Sequence, residues 1–312
     1  MTRTAAVPLE PTPEALTNPV RRYLLATRPA FLSITLAGCL LGFATAPGFD
    51  WGLALLTLLL ALFAHAGVNV LNDYYDHLNG TDAANTQRLF PFTGGSRFIQ
   101  NGVLTPLQML AWGLILFGAV IAGGLWLIGA RGVGLFWIGL AGLVIGWAYS
   151  APPLRLNSRG LGEACVAAGF LLIVAGADFV QRGEFAPLPW LAGLPYALLV
   201  TNILYINQFP DREADALAGK RHWVVRLAPA TAARGYALIL ALAALTLVGL
   251  CLAGALPKAA LIALAGMLPG LGAARALAQH ATAPAQLAPA IQATIAAAHL
   301  HAVLLAALLT LF

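Results

Sequence analysis

The chain has 312 residues, of which 60% are hydrophobic and only 9% are charged. A soluble domain carries about 25% charged residues, so this composition excludes a soluble protein and indicates an integral membrane protein. The net charge of +5 comes without a basic cluster that has interleaved aromatic residues. We therefore expect no nucleic acid partner and attribute the positive excess to membrane topology.

The first twenty residues carry acids and prolines and lack the arginine-then-apolar pattern of a signal peptide. We expect a flexible tail over residues 1–20, followed by one membrane domain over residues 21–312. A helix needs about 20 apolar residues to cross the hydrocarbon core, and windows of this kind predict nine spans. The predicted spans are Leu24 to Ala46, Trp51 to Leu71, Leu104 to Ala130, Gly132 to Tyr149, Leu161 to Val180, Leu188 to Phe209, Tyr236 to Leu252, Ala259 to Ala274 and Leu287 to Phe312.

The distribution of positive charge predicts the orientation. If the N-terminus is cytoplasmic, all of the 17 Lys and Arg residues except Arg131, Arg182 and Lys258 fall on the cytoplasmic side. The positive-inside rule therefore predicts a multi-pass protein of the inner (cytoplasmic) membrane, with the N-terminus and the long loops 73–103 and 210–234 in the cytoplasm. Long loops in compact proteins usually carry function, so these two are the first places to look for a site.

The first long loop begins with the stretch NDYYDHLNGTD, in which an apolar span ends in three aspartates. Acids near membrane depth usually mark a functional site. If the helix continues, four polar residues share one face at three- and four-residue spacing. These residues are Asn69, Asn72, Asp73 and Asp76. The pair Asn79 and Gly80 is a natural helix terminus, so the chain can turn there and return Asp82 to the same place.

The sixth predicted span repeats this arrangement at its cytoplasmic end, with polar residues at successive four-residue steps in INQFPDREADALAGKR. Two sets of hard oxygen ligands at the same ends of two helices suit magnesium, which keeps several waters and binds a few carboxylates together with substrate phosphates. The predicted magnesium ligands are Asn72, Asp73, Asp76, Asp82, Asn207, Asp211 and Asp215, and the predicted catalytic residues among them are Asp73, Asp76, Asp211 and Asp215.

Basic and aromatic residues lie in the same loops and span ends. The arrangement is that of a clamp for a leaving diphosphate, with Arg97, Arg155, Lys220 and Arg221 as the candidate diphosphate-binding residues. Asn69, Tyr149 and Tyr205 are candidates for contact with the organic part of the substrates. Charged helix ends and interfacial tyrosines also occur without any function. Two matched acidic sets on one side, each followed by a basic residue, favour a site.

At these residues the sequence resembles the UbiA-type superfamily of intramembrane prenyltransferases, over roughly residues 21–312. The resemblance implies an all-α integral membrane fold of nine transmembrane helices around a central cavity, with a cytoplasmic cap from the long loops. It also implies two Asp-rich motifs that bind magnesium and a polyprenyl diphosphate. NDYYDHLNGTD, GGSRFIQNGVLTP and YSAPPLRLNSRGLGE are most similar to the menaquinone branch, in which 1,4-dihydroxy-2-naphthoate is prenylated.

Three functions stay open at this point. The resemblance implies magnesium-dependent transfer of a polyprenyl group to an aromatic acceptor, most closely the naphthoate of menaquinone biosynthesis. The second motif reads NQFPD where that branch usually has two asparagines and an arginine before the aspartate, so another acceptor or a prenyl-diphosphate cyclase is the second possibility. The third is a membrane transporter, which commonly has repeated halves with broken helices near the midplane. The clustering of acids at one side favours an enzyme.

Overall fold

A computed structural model describes residues 9–312 of the chain. Every regular element in that range is helical, which confirms the predicted all-α class. The α-helices are α1 (Pro19–Ala26), α2 (Pro29–Thr45), α3 (Trp51–Leu78), α4 (Thr81–Ala84), α5 (Pro106–Arg131), α6 (Gly134–Ser150), α7 (Gly162–Arg182), α8 (Pro187–Leu217), α9 (Trp223–Arg226), α10 (Pro229–Leu252), α11 (Leu268–His280) and α12 (Ala288–Leu311). A 3-10 segment, Lys258–Met267, leads directly into α11.

The long apolar helices make this a multi-pass membrane protein. Among the described residues, seven helices are long and apolar enough to cross a membrane, and α1 with α2 adds an eighth if that pair, bent by 60°, is one span. Nine spans were predicted. The remaining predicted span corresponds to α6, an apolar helix of 17 residues. That length is at the lower limit for crossing the hydrocarbon core, so length and composition support up to eight spans.

Helix α8 lies at the centre of the bundle, packed against α2, α7, α10 and α12. In its most apolar stretch 72% of the residues are buried, against 22% in α5. The helix continues through Pro195 and Pro210. The acidic motif at its C-terminal end is therefore carried by a helix that neighbouring helices hold on several sides.

The end of α3 is defined by local chemistry. Asn79 caps the helix directly after Leu78, its side-chain oxygen accepts a hydrogen bond from the Thr81 amide at 2.9 Å, and Gly80 follows with a φ of 82°. This left-handed backbone conformation is easy for glycine and costly for most other residues. The chain consequently reverses into α4 and carries Asp82 back toward the end of α3, which is the turn that the sequence predicted.

The segment between α4 and α5 packs over the same end of the bundle, together with part of the N-terminal segment. Glu10 forms an ion pair with Arg88 at 2.6 Å, and Leu16 is buried against Phe98 and Ile99. Of the predicted flexible tail, residues 1–8 lie outside the described range, whereas Glu10 and Leu16 contact this loop. The loop and the segment after α8 together form the cap over the site.

Candidate active site

A cavity of about 520 Å³ runs through the bundle between α3, α5, α6, α7 and α8. One end is polar and lies under the cap, and the rest of the wall is mostly aliphatic and aromatic. The predicted site residues that line the cavity are Asn69, Asn72, Asp76, Asp82, Tyr149, Asn207, Asp211, Asp215 and Lys220. The two acidic motifs, far apart in sequence, thus meet at one end of a single cavity.

On α3, three of the four residues predicted to share a face line the cavity. Asn72 donates hydrogen bonds to Asp76 at 3.2 Å and to the Ser150 hydroxyl at 3.0 Å, which orients it toward the cavity. Asp73 is buried but does not line the wall; one of its carboxylate oxygens accepts a hydrogen bond from the Ser96 amide at 3.0 Å. Successive residues are about 100° apart around a helix, so Asp73 turns from the face of Asn72 toward the cap loop.

Asp82 is only 2% exposed and lies against Gly95 of the cap loop. A Cβ added to Gly95 would come within 2.6 Å of an Asp82 carboxylate oxygen, so this close approach requires glycine. Burial raises the pKa of the Asp82 carboxyl well above its ordinary value, and the neighbouring Asp76 and Asp73 carboxylates raise it further. A cation bound beside Asp82 would relieve this cost by stabilising the ionised form.

On α8, Asn207, Asp211 and Asp215 follow each other at four-residue steps and all line the cavity. The Asn85 amide donates a hydrogen bond to Asp211 at 2.5 Å, which ties the first loop to the second motif. His222 Nε2 lies 2.9 Å from Asp215 Oδ2, and this histidine is 2% exposed. Both carboxylates are therefore held in fixed positions by neighbours outside α8.

Lys220 joins the two motifs. Its ammonium lies 2.9 Å from Asp76 and 3.0 Å from Asp215, and the side chain is 9% exposed. Burial alone lowers the pKa of the Lys220 ammonium, but the two carboxylates outweigh that effect and hold the pKa above its ordinary value. Lys220 is therefore charged and shared between α3 and α8.

Besides Asp73, four of the predicted site residues do not reach the cavity wall. Arg97 is buried behind Asp82 and donates a hydrogen bond to the Asp82 carbonyl. Arg155 and Arg221 are exposed on the outer surface of the loops. Arg155 occupies a left-handed turn with φ 44°, and the Arg221 backbone amide donates a hydrogen bond to the Ser158 carbonyl. Tyr205 donates a hydrogen bond to the Ala232 carbonyl at 3.0 Å in the core, since two positions from Asn207 is about 200° around the helix.

The cavity-lining residues that the sequence-based site did not include are numerous, and three of the polar ones are Arg28, Asn85 and His222. Arg28 stands at the bend between α1 and α2 with a φ of 58°, and it donates a hydrogen bond to the Phe92 carbonyl at 2.9 Å. The sequence feature that could have identified Arg28 is its position inside the predicted first span, because a charged residue is uncommon within a membrane span and is usually functional there. His222 and Asn85 carried no signal of their own, because their partners come from another segment.

The donor set at the polar end consists of carboxylate and amide oxygens, the ligands that magnesium prefers. Asp73 Oδ1 and Asn207 Oδ1 are buried oxygens without a hydrogen-bond partner. Over residues 9–312, no group of three or more His, Cys, Asp or Glu side chains is already arranged to hold a metal ion. Lys220 occupies the space between the motifs, and magnesium needs only one or two carboxylates besides substrate phosphates. The residues present therefore fit a magnesium and diphosphate site.

The fold and the site together define an intramembrane enzyme with a buried polar end and an apolar cavity, and comparison with known proteins agrees. Residues 31–295 match the model of the UbiA prenyltransferase family. The chain is similar to 1,4-dihydroxy-2-naphthoate octaprenyltransferase of Haemophilus influenzae, with 31% identity over 70% of this chain and 72% of the relative. The corresponding Bacillus subtilis enzyme is 28% identical over 73% of each chain.

Solved structures with the same fold include a UbiA homolog from Archaeoglobus fulgidus bound to DMAPP and Mg²⁺, with a TM-score of 0.61 and 17% identity over 91% of this chain and 99% of that one. A digeranylgeranylglyceryl phosphate synthase gives a TM-score of 0.64 and 13% identity over 94% and 99%. The chain belongs to the UbiA prenyltransferase family. It is therefore a transferase, and the transporter alternative falls away.

Proposed function

We propose that this enzyme moves a polyprenyl group from its diphosphate to an aromatic acceptor with the help of Mg²⁺, and that the acceptor is 1,4-dihydroxy-2-naphthoate. The observation that carries this proposal is the cavity itself. Its polar end holds two acidic motifs and Lys220, while the remainder is apolar. Such a division suits a substrate with a charged head and a hydrocarbon tail.

The polar end binds the diphosphate. Asn72, Asp76, Asp82, Asn207, Asp211 and Asp215 would hold Mg²⁺, with Asp73 fixing the cap loop beside them through Ser96. The bound metal neutralises negative charge on the diphosphate and so makes it a better leaving group. Lys220 and Arg28, both cationic and both on the wall, contribute further positive charge as the bond to the prenyl carbon breaks.

The apolar part protects the allylic cation. Residues such as Phe170, Leu204 and Val166 exclude water from the region beside the site, and the ring of Tyr149 can stabilise positive charge. The acceptor ring carbon that bears the carboxylate forms the new bond to the prenyl carbon. Diphosphate leaves from the donor, and the carboxylate leaves as carbon dioxide, whose bonding electrons return to the ring.

The names of several relatives support the naphthoate acceptor, among them the Haemophilus influenzae and Escherichia coli enzymes at 31% and 30% identity. A digeranylgeranylglyceryl phosphate synthase has a similar fold, so the fold alone does not specify the acceptor. A different acceptor is the second candidate, because the second motif reads NQFPD where the menaquinone branch usually has two asparagines and an arginine before the aspartate.

We further propose that the protein lies in the cytoplasmic membrane with its N-terminus and the site cap in the cytoplasm. All Lys and Arg residues except Arg131, Arg182 and Lys258 flank that side in the predicted topology. Single cysteines introduced at Arg155 and at Glu184 in a cysteine-free background test this. An impermeant maleimide added to intact cells should label the Glu184 variant and spare the Arg155 variant; the reverse pattern would invert the orientation.

The function is tested with purified protein, Mg²⁺, a panel of prenyl diphosphates and 1,4-dihydroxy-2-naphthoate, with product masses recorded. The expected product is a prenylated, decarboxylated naphthol together with free diphosphate. If the prenyl diphosphate is consumed only with a different acceptor, the proposed donor site stands and the proposed acceptor is wrong. The absence of metal-dependent diphosphate release with every donor and acceptor would refute the proposal.

A further inference from the structure

The cavity is much longer than a diphosphate and an aromatic ring require. Its wall extends along α3 from Asp76 to Thr57, which are 19 positions apart and so about 28 Å apart along the helix axis. Beyond the polar end the wall is built mainly from aliphatic side chains of α5, α6 and α7. A long apolar arm therefore continues from the site across most of the bilayer.

Four glycines line this arm without serving helix packing. They are Gly124 on α5, Gly139 and Gly142 on α6, and Gly169 on α7. A Cβ added at any of them would meet no atom within 4 Å. In contrast, a Cβ at Gly113 or Gly123, also on α5, would come within 2.7 Å of a leucine side chain of α3. The packing glycines allow helices to approach, whereas the four lining glycines only keep space open.

Glycine weakens a helix relative to alanine, so open space at four positions on three helices needs a reason other than packing. The four glycines lie at different distances from the polar end of the cavity. Gly142 lies seven residues from Tyr149, and Gly169 lies seven residues from Gly162. Tyr149 and Gly162 mark the polar ends of α6 and α7, so each glycine is about 10 Å from that end along the helix axis. Gly139 lies about 15 Å from Tyr149, and Gly124 lies about 27 Å from the start of α5.

The far part of the arm borders the outside of the bundle between α5 and α6. Ile121, Leu125 and Leu140 line the arm and are also 48%, 60% and 41% exposed. In a membrane such exposure faces hydrocarbon rather than water. The far part of the arm therefore lies next to lipid.

We propose that these four glycines keep the arm open for the tail of a long prenyl donor, so that a larger side chain at any of them would limit the length of donor that the enzyme accepts. This inference rests on the proposed function, which places a hydrocarbon tail in this cavity, and it adds the residues that admit a long tail. A side chain placed at one of these glycines would close the arm at that depth. Shorter donors would still fit, and longer donors would not.

The test compares Gly142→Leu, Gly139→Leu and Gly124→Leu on donors of increasing length, from geranyl to octaprenyl diphosphate. For wild-type protein we expect turnover to extend to the longest donor. The kcat/KM ratio of long to short donors should fall by roughly tenfold or more in the variants, because overpacking of this size is costly. The chain length at which the fall begins should increase in the order Gly142, Gly139, Gly124.

Gly118→Leu is the matched control, since Gly118 is on α5, is exposed, does not line the cavity and has open space around it. Its donor-length ratio should equal that of wild type. Unchanged ratios in all three cavity variants, or an equal loss for every donor length, would overturn the inference while leaving the proposed function intact. If the wild-type protein turns over no prenyl diphosphate, both the inference and the proposed function are wrong. If Gly142→Leu does not fold, the two deeper variants still decide the outcome.

Discussion

The ammonium of Lys220 lies 2.9 Å from Asp76, although the two residues are separated by 144 positions in the chain. The same ammonium lies 3.0 Å from Asp215, so one cation compensates carboxylates from α3 and α8. A buried carboxylate without a partner is strongly unfavourable. Lys220 thus stabilises the approach of the two motifs in the absence of metal, and it occupies the region in which a metal ion and a diphosphate would be bound.

Replacing Lys220 with methionine should therefore destabilise the metal-free protein by about 3 to 5 kcal/mol, because Asp76 and Asp215 lose their counter-charge. Added Mg²⁺ should raise the melting temperature of this variant more than that of wild type, since no ammonium competes for the carboxylates. Thermal unfolding in detergent with and without Mg²⁺ measures both effects. Arg221→Met, at the exposed neighbouring position, is the control. An equal Mg²⁺ shift in Lys220→Met and wild type would show that Lys220 and the metal do not share ligands.

Replacing Asp211 with asparagine should lower kcat/KM for the prenyl diphosphate by at least about 100-fold, because the site loses one charge that binds the metal–diphosphate complex. The variant should remain folded, since the new amide oxygen can still accept the Asn85 hydrogen bond. Steady-state kinetics with Mg²⁺ titration measures the change. Glu184→Gln, an exposed acid near the start of α8, should be unaffected. Wild-type turnover in Asp211→Asn would remove Asp211 from the metal site.

The raised pKa of Asp82 leads to a pH-dependent prediction. An unfolded chain ionises Asp82 above its ordinary pKa of 3.8, whereas burial and the nearby Asp76 and Asp73 carboxylates disfavour that ionisation in the folded protein. The folded state therefore loses stability through Asp82 as pH rises above 3.8. Asp82→Asn should raise the melting temperature of the metal-free protein at neutral pH, and the gain should shrink on acidification, even though turnover falls. A melting temperature difference that stays constant between about pH 4.5 and pH 7.5 would contradict this sign.

Arg28 should act on the donor and not on the acceptor. Its charge lies on the cavity wall, and a hydrogen bond to a charged group is worth about 1.5 to 3 kcal/mol. Arg28→Met should therefore raise the KM for the prenyl diphosphate by roughly tenfold or more while leaving the acceptor KM unchanged. Arg21→Met, on the exposed face of α1, serves as the control. Equal increases in both KM values would indicate that Arg28 holds the α1–α2 bend instead.

The sequence predicted the helices and the acidic end of the cavity well because both depend on local patterns. Apolar runs define spans, and Asn79 with Gly80 defines the turn that returns Asp82. The side of a helix on which a given residue lies was harder to predict. Tyr205 belongs to a span with a cavity-lining motif, yet it packs toward α10 because neither its polarity nor its size specifies which side of α8 it occupies.

Residues whose position depends on contacts between distant segments were the least predictable. Arg155 and Arg221 have the right charge in the right loops, but both are exposed on the outside of those loops. Arg28, Asn85 and His222 reach the cavity only because α2, the cap loop and the segment after α8 converge there. Charge and spacing identify a motif, whereas the neighbours that position it come from the tertiary fold.

Helices α2 and α7 approach each other closely at Gly42. An added Cβ at Gly42 on α2 would overlap the Val174 carbonyl of α7 and lie 2.7 Å from Ala177 Cβ. Backbone atoms cannot move aside as a flexible side chain can, so Gly42→Ala should force α2 and α7 apart and cost about 1 to 3 kcal/mol of stability. Gly249→Ala on α10, with no atom within 4 Å of the new methyl group, should not lower the melting temperature, because alanine favours a helix over glycine. Thermal unfolding of the two variants side by side measures the difference, and equal melting temperatures would mean that the α2–α7 contact is looser than the structure has it.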